Sequence, residues 1–289
     1  MDTKQLENLI ALVEEGNVRE AALRQHISQP GLSMSIKRLE ESLKITLFQR
    51  DGRKIRPTDN CLEFYQRAKL ALAQLNLGRA DLPGAENISL RFGVGETRDD
   101  RFIGNLTGNL EERFPAIRLE IIEQRYTKLL PRVANGDIDA AFVGVPRKAI
   151  PDSLDALLLH TTRMCVACRP NHPLADSKRA LTDQELMQAR WATSRRWPSF
   201  LTSRDGQPFN VPMLADSLPA LKETVRAIDC LTALPEIIIE TDLAEGSLIK
   251  LSARQFSYKI TIFAVRRPNF PSRVLDAAVE IARSSFARR

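Results

Sequence analysis

Three stretches of this chain have residue types and spacing that could do chemistry. "CVAC" sets Cys165 and Cys168 at the C-x-x-C spacing used to chelate zinc or to cycle between dithiol and disulfide. "RDGRKIR" (50–56) gathers Arg50, Arg53, Lys54 and Arg56 against Asp51, a local charge of 4 − 1 = +3 that suits phosphate. "GVGET" (93–97) places two glycines after an apolar run, as a phosphate-binding turn would. Three histidines, His26, His160 and His172, are the remaining candidates for acid–base work.

The elements that must position these residues shorten the list. "MCVACR" reads as a strand, where positions three apart point to opposite faces and chelate poorly. No second cysteine pair or nearby histidine cluster completes a metal site, so these cysteines are expected in a buried strand. No lysine follows the glycines at P-loop spacing. His26 falls between two helices, His160 at a strand start and His172 in a turn flanked by proline, so no nucleophile constellation forms. The expectation is a protein that is not an enzyme and carries no cofactor and no metal. Two alternatives stay open: a redox response through Cys165 and Cys168, and an α/β enzyme bearing an accessory module.

The bulk properties agree with a globular chain. At 289 residues, 43% hydrophobic and 27% charged, it has room for two domains. No apolar run approaches the roughly 20 residues that span a bilayer, and "MDTKQLENLI" lacks the basic start and long apolar stretch of a signal peptide. Four cysteines make no dense framework and suit a reducing compartment. The expected location is cytoplasmic, without membrane contact. A net charge of +6 and a pI near 9.3 permit an anionic partner.

Only the basic run has neighbours that give it purpose. Leu6, Leu9, Ile10 and Val13 follow the i, i+3, i+4, i+7 spacing of a helix, and Gly16-Asn17 ends it. "VREAALRQH" is a short alanine-rich helix. Pro30 suits a first helical turn capped by Ser28 or Gln29. Behind it Leu32, Ile36, Leu39 and Leu43 form one stripe, leaving Ser33, Met34, Lys37 and Arg38 outside. "LFQRDGRKIRPT" (47–58) then reads as a hairpin with Asp51-Gly52 at its turn. Helix, short helix, turn, helix and basic hairpin make the layout of a winged helix-turn-helix.

This stretch resembles the winged helix-turn-helix of LysR-type transcriptional regulators. It carries Ser28, Gln29, Pro30, Leu32, Ser33, Ile36, Arg38-Leu39-Glu40, Leu47-Phe48 and Arg50 of that family's pattern, with Arg53 in the wing. Gly31 replaces the usual alanine, Ile45 the glycine-containing bend, and Met34 a frequent arginine, which removes a phosphate or base contact. The resemblance implies that Gln29 and Pro30 touch base edges, an amide to adenine and a ring to a thymine methyl. Ser33 and Lys37 would hold phosphates, with Met34 on the same face, and Arg53 would explore the minor groove.

From Asp59 to Leu77 there is no Gly or Pro, and Cys61, Tyr65, Ala68, Leu72 and Leu75 are spaced 4, 3, 4, 3. That seam predicts a short coiled coil and a homo-oligomer: a dimer through this helix, on to a tetramer. The alternative is that the stripe packs on its own chain.

Alternation in "ISLRFGV", the helix "FIGNLTGNLEERF" with Phe102, Leu106 and Leu110 on one face, and the strands "IRLEIIE" and "DIDAAFVGV" predict a parallel α/β sheet. "NGDIDAAFVG" and "RPNHPLA" extend the family resemblance along the rest of the chain. The fold class is thus α/β with an N-terminal winged helix-turn-helix, a long linker helix and a two-lobe effector domain like periplasmic solute-binding proteins. The expected bounds are 1–58, 59–82 and 86–289, with lobe I about 86–160 and 266–289 and lobe II about 161–265. The function implied is operator binding on double-stranded DNA, modulated by a small-molecule effector. Strand carboxyl ends nominate Thr97, Tyr126, Thr127 and Val145 for a small organic anion, with Arg98 or Arg196 as its cationic partner. Two departures reshape that pocket. Pro131 should kink or shorten its helix, and "RAIDCLTALP" lacks the family's "GxG".

Overall fold

The computed structural model describes residues 1–51, 54–80, 82, 88–95, 100–194, 206–215, 217–269 and 271–287. Helix α1 (Thr3–Glu15) starts at an Asp2/Gln5 capping box and ends at Gly16, whose φ of +62° suits a residue without a side chain. Helix α2 (Val18–Arg24) buries Ala21 and Ala22, small enough for α1 and α3 (Gln29–Leu43) to approach closely. Ser28 caps α3 by accepting from the Gly31 amide at 3.1 Å, and Leu32, Ile36 and Leu39 are buried as their spacing predicts. Strands β1 (Phe48–Asp51) and β2 (Lys54–Pro57) pair antiparallel as the expected hairpin, but Asp51 pairs with Lys54 inside the ladder and not at the turn expected of it.

Helix α4 (Asp59–Ala80) corrects one expectation. Cys61, Tyr65 and Ala68 of the proposed seam are buried within their own chain, with Cys61 and Ala68 in the core of the helix-turn-helix. The Tyr65 hydroxyl donates to Glu14 of α1 at 2.8 Å. Leu72 is partly buried, and only Leu75 stays open to solvent at 47% exposure. Periodicity identified the apolar face correctly, but α1 covers most of it.

Strand β3 (Ile88–Val94) pairs parallel with β4 (Ile117–Glu123) and β5 (Ala140–Gly144). Helix α5 (Asp100–Arg113) buries Phe102, Leu106 and Leu110 against this sheet, as predicted. Helix α6 (Tyr126–Ala134) is short and runs one turn past Pro131, which forfeits a helical amide but still offers its carbonyl to Asn135. Strand β6 (Asp155–Cys168) links the two lobes. Its first part pairs with β11 (Lys259–Arg266), and its last residues pair with β9 (Thr232–Pro235) and β10 (Ile249–Leu251).

Because β11 also pairs with β5, it belongs to the first lobe's sheet. The return crossing therefore lies at Tyr258–Lys259, where Tyr258 accepts from the Met164 amide at 2.9 Å, and not near residue 266. The second lobe adds α7 (Asp183–Gln188), β7 (Arg190–Ser194), β8 (Asn210–Ala215), α8 (Leu218–Ala227) and α9 (Glu240–Ala244). Its core is built round Trp191, fully buried and stacked on Phe209 at 5.0 Å, with its indole N–H on the Leu186 carbonyl at 2.8 Å. Helix α10 (Arg273–Ala287) packs back on α5 and closes the first lobe.

Candidate DNA interface and effector cleft

On α3, Gln29, Pro30, Ser33, Met34 and Lys37 are all exposed, and a helical wheel places them on an arc of about 140°. Leu32, Ile36 and Leu39 fall outside that arc, on a neighbouring arc of about 60°, and anchor the helix in the module's core. Met34 is 53% exposed, so nothing on its own chain accounts for its position. Lys37 meets Glu41 only at 3.9 Å, with both side chains mostly in solvent, so its ammonium is available to a phosphate. The helix offers its N-terminal turn outward, the end by which such helices enter a major groove.

Sequence reasoning missed what fixes the wing. Glu40 Oε1 accepts from the amides of Leu47 at 2.7 Å and Phe48 at 3.1 Å, tying the base of the hairpin to α3. Thr58 donates its hydroxyl to the carbonyl of Thr46 at 2.9 Å and accepts from the Cys61 amide at 3.1 Å, joining the wing to α4. The one signal in the sequence for Glu40 is its place in the Arg-Leu-Glu segment of the family pattern. Arg53 lies outside the described residues.

In the effector domain the parallel strands bring three nominated residues to one edge. Tyr126 opens α6 after β4, partly buried against the first lobe's core, and Thr127 is exposed beside it. No side chain caps α6, so its first amides face outward. Val145 follows β5 but is buried, its amide donating to the Thr261 carbonyl of β11 at 3.0 Å. It shapes the wall where the lobes cross and offers a ligand little surface. Thr97, Arg98 and Arg196 lie outside the described residues, while Ser194 ends β7 as a buried residue.

The thiols are placed as the strand reading expects. Cys165 and Cys168 belong to different apolar clusters, Cys165 against β9, where its thiol donates to the Leu234 carbonyl at 3.4 Å, and Cys168 in the cluster round Trp191, and burial pushes both up to about 12. Among the described residues all four cysteines are free and buried, and no group of His, Cys, Asp and Glu could hold a metal ion. The histidines are structural. His26 takes a left-handed turn at φ +52° between α2 and α3. His160, inside β6 and not at its start, stacks on Phe286 at 5.3 Å. His172 accepts from the Leu174 amide through Nδ1 at 3.1 Å, and burial lowers its pKa.

A buried ion pair holds the turn after α6. Asp139 accepts from the Arg91 amide of β3 at 2.8 Å, while Arg267 donates to the carbonyls of Val133 at 2.8 Å and Ile138 at 2.9 Å. Arg267 follows β11, so the end of the crossing strand is fixed to the end of α6.

Comparison with known proteins covers the same two parts. Residues 3–62 match the family of bacterial regulatory helix-turn-helix proteins of the lysR type, and residues 84–287 match the LysR substrate binding domain. A hydrogen peroxide-inducible genes activator of Dickeya chrysanthemi is 26% identical over 94% of this chain and 92% of its own length. A RuBisCO operon transcriptional regulator of Allochromatium vinosum is 24% identical over 88% and 85%. Among solved structures, ArgP from Mycobacterium tuberculosis superposes with a TM-score of 0.74 at 15% identity, covering 99% of this chain and 98% of that one. A full-length OxyR variant from Pseudomonas aeruginosa gives 0.69 at 20% identity, covering 99% and 94%. The matched families and relatives are transcription regulators and not enzymes.

Proposed function

Because the chain belongs to the LysR family of bacterial transcriptional regulators, we propose that it reads operator DNA with α3 and the β1–β2 wing under control of a small organic anion between the lobes of its effector domain. One observation carries the DNA reading: the exposed arc Gln29–Pro30–Ser33–Met34–Lys37 stands beside a wing that Glu40 fixes to the same helix. The anion rests on Tyr126 and Thr127 at the uncapped start of α6, where backbone N–H groups and the helix dipole favour negative charge. Thr97 and an arginine, Arg98 or Arg196, complete that site. Two copies pair through what α1 leaves uncovered on α4, Ala71 and Leu75, placing two wings on two half-sites; a tetramer pairs two such dimers. Such a regulator works in the cytoplasm, alongside the DNA.

A gel-shift series in increasing salt tests the DNA reading. Log affinity should fall with log salt, by about 0.9 per phosphate neutralised. Lys37→Glu with Arg53→Glu should weaken binding by about 100-fold or more, since each lost phosphate contact is replaced by repulsion. An unchanged shift would remove α3 and the wing from the interface.

A redox reading through Cys165 and Cys168 is disfavoured by their placement. The two thiols face different cores, and little thiolate exists at neutral pH in a group held near 12.

A further inference from the structure

We infer that the cavity where the DNA-binding module, the linker helix and the first lobe meet is a second small-molecule site, taking a multivalent oxyanion and so fixing the module against the effector domain. The cavity holds about 420 Å³, the scale of a small metabolite's pocket. Its walls come from all three parts: Arg24 beside α1, Lys69 on α4, and Arg91 and Arg132 in the first lobe. It lies past the C-terminal end of α6, whereas the proposed effector site lies at the N-terminal end of that helix, so the two are separate.

Charge decides what such a cavity accepts. Four cations face it against Glu7, Glu14 and Asp137, and all three carboxylates are already engaged. Glu14 takes Arg24 at 2.7 Å, Lys69 at 3.8 Å and the Tyr65 hydroxyl. Asp137 takes Lys69, and Glu7 takes Lys4 at 3.4 Å. The positive excess therefore sits on the first-lobe side. Arg91 donates to the Gly136 carbonyl at 3.3 Å and Arg132 to the Gln124 side-chain oxygen at 3.3 Å, both neutral acceptors. Among the described residues neither guanidinium forms an ion pair. Burial depresses the Lys69 pKa, and of the charged neighbours Glu14 opposes that while Arg91, Arg132 and Arg24 add to it, so the cations share one field. Guanidinium forks match carboxylate and phosphate oxygens in pairs, which a dianion or trianion supplies.

The walls also interlock. Gly136 holds φ at +78°, and a Cβ there would stand 3.2 Å from Leu70 on α4, so helix and lobe approach as closely as a glycine permits. A ligand touching all three parts binds only when they are apposed. It therefore shifts the chain toward that arrangement, by as much as its affinities for the two states differ.

Calorimetric titration of the full-length protein with pyrophosphate and with citrate, at ionic strength held by sodium chloride, tests this. Saturable binding of at least one anion is expected, weakened about tenfold or more by Arg91→Gln with Arg132→Gln and by a smaller factor by Arg132→Gln alone. The stronger of the two anions identifies phosphate or carboxylate as the recognised group. Lys37→Gln, on the DNA face, should leave this binding unchanged, and the arginine variants should bind duplex DNA normally without anion. The inference fails if neither anion saturates below ~10 mM. It also fails if the arginine variants bind as the wild type does, or if Lys37→Gln or added duplex DNA abolishes the signal. Binding at the effector site at the other end of α6 would be unmoved by the arginine pair, so loss of signal in those variants separates the two sites.

Discussion

The DNA-binding module is organised round one apolar cluster, whereas the second lobe divides its buried residues between a cluster round Trp191 and one shared with the first lobe, and the two prepare function in opposite ways. In the module, a single helix carries both jobs: Leu32, Ile36 and Leu39 hold it down while Gln29, Ser33 and Lys37 look outward. In the second lobe, Trp191, Phe209 and Phe256 come from separate segments, and Lys222, Arg226 and Asp242 form a largely buried charge cluster between α8 and α9. A reading surface built on one element tolerates much change elsewhere. A lobe assembled from distant segments depends on each of its joints.

That contrast predicts unequal damage. Trp191→Ala should cost about 3–5 kcal/mol in the second lobe, from the lost ring and the cavity left between Phe209 and Phe256. Chemical denaturation should show that loss while operator affinity of the folded fraction stays within twofold or so. Equal loss of DNA binding would mean that the regions are not independent. Asp242→Asn should cost about 2–3 kcal/mol, below the range for fully buried pairs because Lys222 and Arg226 keep partial solvent access. Burial alone would raise the Asp242 pKa, but the bonds from Lys222 and Arg226 outweigh it and hold it below the usual value. A depressed folded value adds stability above the unfolded pKa near 3.9 and loses it as pH falls through the folded one. Acid should therefore weaken the second lobe below about pH 4, and the asparagine variant should show less of that slope.

Glu40→Gln is the milder test of the module. It weakens two charge-assisted bonds to the wing, so a loss of about 1 kcal/mol in stability is expected, with a larger effect on DNA affinity than on melting. The smallest expected effect is that of a thiol reagent. Cys61, Cys165 and Cys168 are pushed up to about 12 and Cys230 to about 11, all by burial, so the folded protein should titrate no fast thiol at neutral pH. A rapid equivalent with altered DNA binding would favour redox control.

Whatever depends on neighbours within one turn of helix or strand was legible. The stripe of α3, the Ser28 cap, the presence of a hairpin over 47–58, and the face Phe102–Leu106–Leu110 all follow from local spacing, while the hairpin's turn was read one residue early. What covers a face was not legible. The Cys61–Tyr65–Ala68 stripe has coiled-coil spacing, but spacing does not say whether a second chain or α1 fills it. The return crossing was set too late because β11 is assigned by its pairing with β5, a contact across more than a hundred residues. Glu40 acts on amides beyond the end of its own helix and Asp139 on one in a different strand, 48 residues away, and no local periodicity marks such bonds. Of the residues nominated for the effector site, Tyr126 and Thr127 do follow a strand end, at the start of α6, while Val145 is buried and offers no surface.

The long strand β6 is common property of the two lobes: residues 155–163 are stitched to β11, and residues 164–168 to β9 and β10. Neither lobe can be excised without stripping the other of an inner or bordering ribbon of its sheet. Limited digestion should accordingly release the region after α4 as one indivisible fragment, and attempts to express either half alone should yield aggregates.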